Sequence, residues 1–277
     1  MKEYGSFVRL KDPSDAEASF IKLRSLGFSY CQLVFKPERY TKEAADIIRS
    51  AAEKTKTRIV SMFAGFNDTY TKWDLYEDYK LAGINSKLYG ERRIEYIKSA
   101  AVFAKSLGTC DLLIHAGFVA NDPFSAEYKH MKECLGNFAS YCKEIGINVL
   151  LETGGESPVT LLRLIEELSL GNVFVNLDTA NLIMYGYGNP VDAVPTLGKY
   201  IKSMHVKDGT PPTSPYKLGD EVPVGKGFVD FKRVFKELER VGFDGPIIIE
   251  REISGEKQLS DLKAAMDYLN TEIFFED

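Results

Sequence analysis

The sequence predicts an α/β chain folded as one (β/α)8 barrel. Three observations predict it. Eight short runs rich in β-branched and aromatic residues alternate with longer amphipathic stretches. Several of these runs are apolar throughout, such as DLLIH from Asp111 and PIIIE from Pro246, the composition of parallel strands covered on both faces. The length, 277 residues, matches the usual size of such a barrel. No linker or low-complexity segment divides the chain, so residues 1–277 read as one domain.

In chain order, the expected strands are residues 5–10, 30–35, 58–64, 110–115, 148–152, 173–178, 201–206 and 246–250. Helical periodicity fills the intervals. Residues 16–26 lead to Gly27, and residues 41–54 place Ala44, Ile47, Ile48 and Ala51 on one face. Residues 91–107 and 125–145 stop before Gly108 and Gly146, where a residue without Cβ ends a helix readily. Residues 158–168 follow Ser157, an N-cap, with Pro158 at the first helical position. Residues 231–241 stop before Gly242, and residues 259–269 close the pattern. Two connections are long, 66–90 after the third strand and 209–229 after the seventh. Long loops after barrel strands usually cover the active face.

Charge and composition narrow the function. The net charge is −5 and the sequence pI about 5.5, which argues against nucleic acid or an anionic membrane as partner, since both demand a basic face. No run approaches the 18 or so apolar residues of a membrane span, and the N-terminal segment lacks the apolar stretch of a signal peptide. The cysteines Cys31, Cys110, Cys134 and Cys142 form no CxxC pair, so neither a zinc ribbon nor a redox motif is indicated. The expected setting is the reducing cytoplasm.

In this architecture chemistry sits at the C-terminal ends of the strands. There the last four strands carry Glu152, Asp178, His205 and Glu250. Three carboxylates in one apolar-walled mouth would repel one another and be driven towards protonation. One divalent cation removes that conflict, and three oxygen donors with one imidazole suit Mn, Mg, Co or Zn. The same rule places His115 at the end of the fourth strand, as a substrate contact or a hydrogen-bonded core residue, while His130 falls on a helix, at its surface or in its packing.

From Val149 onward the motifs LLET, LDTAN, HVKDG, VPVGKGFVDF and PIIIERE follow one another, with 26, 27 and 45 residues between successive candidate ligands. In these motifs the chain resembles the xylose isomerase-like barrels of the sugar phosphate isomerase/epimerase family, in particular the D-tagatose 3-epimerase and inosose isomerase or dehydratase branch. The resemblance implies that Glu152, Asp178, His205 and Glu250 hold the metal. It implies that Glu152 and Glu250 also move protons during isomerisation or epimerisation of a ketose or keto-cyclitol through an enediolate. It further implies a homo-oligomer, since dimers and tetramers are common in that family. One departure stands out. The epimerases often carry histidine three residues after the strand-six aspartate, where this chain has Asn181, a residue that can bond a substrate hydroxyl but cannot serve as acid or base.

Further candidates surround that mouth. Gly154-Gly155 permits a turn that returns Glu156 towards substrate, the alternative being an exposed carboxylate at a helix start. Strand alternation turns Lys207 inward and Asp208 outward, the latter to orient His205 or cap a helix. Arg251 points away from the lumen towards a helix carboxylate. Gly225-Lys226-Gly227 is too short for a P-loop, which needs GxxxxGK[ST]. It reads as a turn offering Lys226 to substrate. Tyr70, Trp73 and Tyr76 in the third loop are placed to cover a sugar ring or to pack on the rim. Four functions compete: the isomerase or epimerase; a lyase dehydrating a keto-sugar or inosose; an endonuclease IV-like repair enzyme, disfavoured by three histidines in all and the acidic charge; and a sugar-binding subunit without catalysis.

Overall fold

The computed structural model describes residues 2–66 and 81–274. Tyr70, Trp73 and Tyr76 lie outside the described residues. Eight parallel strands close into a barrel: β1 (Gly5–Val8), β2 (Tyr30–Val34), β3 (Arg58–Ala64), β4 (Asp111–Ile114), β5 (Asn148–Glu152), β6 (Val173–Asp178), β7 (Ile201–Val206) and β10 (Ile247–Ile249). The ring runs β1-β2-β3-β4-β5-β6-β7-β10 and closes on β1, where Gly5 pairs with Ile248. The expected (β/α)8 barrel is therefore the observed fold.

Helices α1 (Ala16–Ser25), α2 (Lys42–Thr55), α3 (Gly90–Leu107), α4 (Ala126–Glu144), α5 (Pro158–Leu168), α8 (Phe231–Arg240) and α9 (Glu256–Tyr268) wrap the outside. Local chemistry fixes their starts. Thr41, Ser125, Ser157 and Asp230 each accept a first-turn backbone N–H through the side chain. A continuous apolar layer between strands and helices includes Leu33, Met62, Leu112, Leu135, Val175, Leu197 and Val234, all essentially without solvent exposure.

Several boundaries differ from expectation. The first strand stops at Val8 rather than residue 10, and the fourth at Ile114, one residue before His115. The eighth begins at Ile247, because Pro246 has no N–H to donate. Glu250 thus follows the strand, though its N–H still bonds Val206 O at 3.1 Å. Two short helices were not anticipated, α6 (Asn181–Met184) and α7 (Pro190–Leu197), nor was the small hairpin of β8 (Asp208–Gly209) with β9 (Glu221–Val222).

Two irregularities in register shape the barrel mouth. Between β2 and β3, Cys31 pairs with Ile59 but Gln32 pairs with Ser61, leaving Val60 unpaired. Between β6 and β7, Val175 pairs with Ile201 but Asn176 pairs with Ser203, leaving Lys202 as the extra residue. Such bulges re-aim the side chains beyond them.

Candidate metal and active site

Glu152 ends β5, Asp178 ends β6, His205 lies in β7 and Glu250 follows β10. One ligand atom from each lies within 4.8 Å of every other, and all four residues are buried. The β6–β7 bulge is part of the reason: after the shift Asp178 stands directly beside His205 instead of Met204. His205 Nδ1 is 3.0 Å from Glu152 Oε1, 3.0 Å from Glu250 Oε2 and 3.8 Å from Asp178 Oδ2.

The local sequence around Asp178 explains its aim. Oδ1 accepts from Ala180 N and Asn181 N at 2.8 and 2.7 Å, which turns Oδ2 towards the cluster. Thr153 Oγ1 accepts from Asp178 N, and Thr179 Oγ1 donates to Lys207 O at 2.6 Å, tying β5, β6 and the end of β7 together. Asp178 Oδ2 is buried without a hydrogen-bond partner, and Glu250 Oε2 has only His205 Nδ1, at 3.0 Å, a nitrogen it shares with Glu152. Leaving carboxylate oxygens dry and unpaired is costly. A divalent cation would satisfy both, and the donor set, three carboxylates and an imidazole nitrogen, is chemically suited to one.

Electrostatics show the same strain. Burial pushes the Asp178 carboxyl up to about 7 against the attraction of Lys207, and repulsion from Glu152 and Glu250 adds to the rise. Burial also opposes charge on Glu152, but His115 and His205 outweigh it and hold that carboxyl well below the usual range. Glu250 is likewise lowered despite burial, through Lys207 and His205. Burial should depress His205, yet Glu152 and Glu250 drive it up to about 10.

His115 joins the cluster edge, its Nε2 2.9 Å from Glu152 Oε2. Glu156 is buried, not the exposed helix-start carboxylate of the alternative, and burial pushes it up to about 8 against the pull of His115. Gly154 makes that turn possible: a Cβ there would lie 2.8 Å from Asn181 Cβ, and its φ of +150° suits only glycine. Lys207 points inward as alternation demanded. Its ammonium donates to Asn181 Oδ1 at 3.2 Å and to Glu252, and lies 3.8 Å from Glu250 Oε2 and 3.9 Å from Asp178 Oδ2. Burial works against its charge, but Glu250, Asp178 and Glu252 keep it protonated.

Other expectations need correction. Asp208 neither contacts His205 nor caps a helix. Its carboxylate accepts the backbone N–H groups of Gly209, Gly225, Gly227 and Val229, folding the second half of the 209–229 loop around itself. A Cβ at Gly227 would meet Asp208 Oδ1 at 2.2 Å, so the GKG segment serves this wrap. Lys226 is exposed on that turn, and no contact among the described residues brings it to the cluster. Arg251 does reach a helix carboxylate, Asp261, at 2.9 Å, and adds Glu221 at 2.7 Å.

Sequence reasoning passed over Gln32, Ser61, Glu252 and Tyr185. Tyr185 lines a small hollow with His115, Glu152, Gly154 and Asn181. Gln32 is fully buried with its Oε1 2.9 Å from His205 Nε2. The available signal was one amide in the otherwise apolar strand YCQLV.

The protein is thus a parallel eight-stranded α/β barrel with, at the C-terminal ends of its strands, a buried carboxylate–imidazole cluster that could hold a metal ion. The model of the xylose isomerase-like TIM barrel matches residues 20–272, and the chain belongs to that family. A xylose isomerase domain protein from Planctomyces limnophilus superposes with a TM-score of 0.85 at 28% identity, over 96% of this chain and 95% of that one. A xylose isomerase-like barrel from Mycobacterium smegmatis, solved with magnesium, shares the fold at a TM-score of 0.68 and 16% identity, over 91% and 86% of the two chains. Among curated proteins, a ketose 3-epimerase of Arthrobacter globiformis is 25% identical over 133 residues, 46% of this chain. The match spans 42% of that relative's length. Among the described residues no helix is long and apolar enough to cross a membrane.

Proposed function

We propose that the protein is a divalent-metal-dependent isomerase or epimerase of a ketose or keto-cyclitol, with Glu152, Asp178, His205 and Glu250 as metal ligands. The observation that carries this reading is the convergence of the four side chains, three of them carboxylates, with Asp178 Oδ2 buried and unpaired. The partial match to a ketose 3-epimerase supports the substrate class. A divalent ion bound there would polarise the substrate carbonyl and acidify the neighbouring C–H.

The protein's own residues supply the remainder. Glu152 and Glu250 are both ionised and so able to accept a proton. One removes a proton from the carbon beside the carbonyl, leaving an enediolate; the other, having first taken a proton from solvent, gives it to the opposite face, and the first then returns its own to solvent. Glu156, as the neutral acid, donates a hydrogen bond to a substrate oxygen. His115, Asn181 and Lys207 bind hydroxyls around the reacting carbons. Incubation of metal-loaded protein with a ketose panel in D2O is expected to give C–H exchange. Absence of exchange with every member would overturn the reading.

A second reading, elimination of water from a keto-sugar, draws on Asn181. Its Oδ1 is engaged by Lys207, so this position offers an ammonium where an epimerase offers an imidazole. Product mass separates the two, because only elimination loses water.

A further inference from the structure

We infer that Gln32 is a positioning residue for His205, making it a one-sided ligand whose Nδ1 faces the carboxylates. The inference rests on the reading that His205 holds a divalent ion. For Nδ1 to offer its lone pair, the ring proton must sit on Nε2, and a buried N–H needs an acceptor. The described neighbours of that nitrogen supply one: Gln32 Oε1, at 2.9 Å. Gln32 is itself held from the other side, its Nε2 donating to Ser61 Oγ at 2.8 Å. All three residues are at most 1% exposed, so bulk solvent does not compete for any link. Phe7 packs edge-on against the His205 ring with centroids 5.2 Å apart, which restricts its rotation.

The backbone is shaped to bring this chain of contacts about. Without the bulge at Val60, Gln32 would stand beside Val60 and its amide would lose the hydroxyl. Without the bulge at Lys202, His205 would fall out of step with Asp178. Two separate irregularities on opposite sides of the barrel thus converge on one imidazole. Groups that accept the remote N–H of a ligating histidine typically change metal affinity about 10- to 100-fold when removed.

The decisive comparison is between Gln32→Met and Gln32→Glu, with His205→Ala alongside, each titrated with Mn2+ by calorimetry. A merely space-filling Gln32 tolerates Met, which matches its volume, and suffers from Glu, which buries a charge. A positioning Gln32 gives the reverse order, because Glu still accepts from Nε2–H and Met cannot. The expected result is Mn2+ affinity near or above wild type for Gln32→Glu and about 10- to 100-fold weaker for Gln32→Met. The Zn2+-loaded wild type, labelled with 15N-histidine, should show a slowly exchanging His205 Nε2–H that Gln32→Met loses. Equal affinity for wild type and Gln32→Met, or weaker binding by Gln32→Glu than by Gln32→Met, overturns the inference. Failure of wild type to bind any ion, or undiminished binding by His205→Ala, instead overturns the metal reading beneath it.

Discussion

Asp178 and His205 are register partners across β6 and β7, yet their facing atoms, Oδ2 and Nδ1, stay 3.8 Å apart and Oδ2 has no hydrogen-bond partner. Adjacent strands have brought a carboxylate and an imidazole together without letting them satisfy one another. That gap gives the first prediction. Mn2+ or Mg2+ at about 100 times its dissociation constant should stabilise the fold by about 2.7 kcal/mol. In a chain of this size that is a rise of roughly 4–6 °C in Tm, read by calorimetry and reversed by chelator. Asp178→Asn should abolish the rise while leaving the metal-free protein as stable or more so, because it removes a buried charge.

Proton transfer can be separated from metal holding. Glu152→Gln and Glu250→Gln keep an oxygen for the ion but lose the base. Each should lower turnover by about 100- to 10,000-fold and suppress C–H exchange into D2O with a smaller effect on metal affinity. Turnover surviving both changes together would remove these two residues from the mechanism.

The pH dependence has a definite sign. His205 is raised to about 10 and Asp178 to about 7 in the metal-free fold, both above their unfolded values. The folded state therefore binds more protons than the unfolded one from about pH 4 up to about pH 10 through these two groups, and the stability they lend is lost as pH rises. Glu152 and Glu250 act oppositely, but only below the ordinary glutamate range. Metal-free protein should accordingly lose Tm between about pH 6 and 9. Metal binding must expel these protons. Titrations in buffers of different ionisation enthalpy should show one to two protons released at pH 7, with affinity climbing as pH rises.

Most of the barrel was legible because strand runs and glycine stops are local. Glu152, Asp178, His205 and Glu250 were legible too, since strand-end position alone brings them to one mouth. What the pattern hides is register. Neither bulge leaves a mark in composition, so the pairing of Gln32 with Ser61 and the bonding of Lys207 to Asn181 were invisible. Helix α7 was missed for another reason: PVDAVPTL holds two prolines. Pro190 is tolerated at the first turn, and Pro195 sits inside the helix at the cost of one backbone bond. Asp208 was misread because its partners are backbone N–H groups up to 21 residues away.

That last residue carries the final prediction. One carboxylate holds four backbone N–H groups from the two ends of the 209–229 loop, and hydrogen bonds to a charged acceptor are worth about 1.5–3 kcal/mol each. Asp208→Ala would leave these N–H groups without their shared partner and should destabilise the protein by about 3 kcal/mol or more. Gly227→Ala should do similar damage by a different route, since its Cβ would press to 2.2 Å from Asp208 Oδ1. Neither change touches the four clustered side chains, so both variants should still bind Mn2+ near wild-type affinity while KM for the ketose rises. Loss of Mn2+ binding in folded Asp208→Ala protein would mean that the loop holds the metal site itself rather than the wall around substrate.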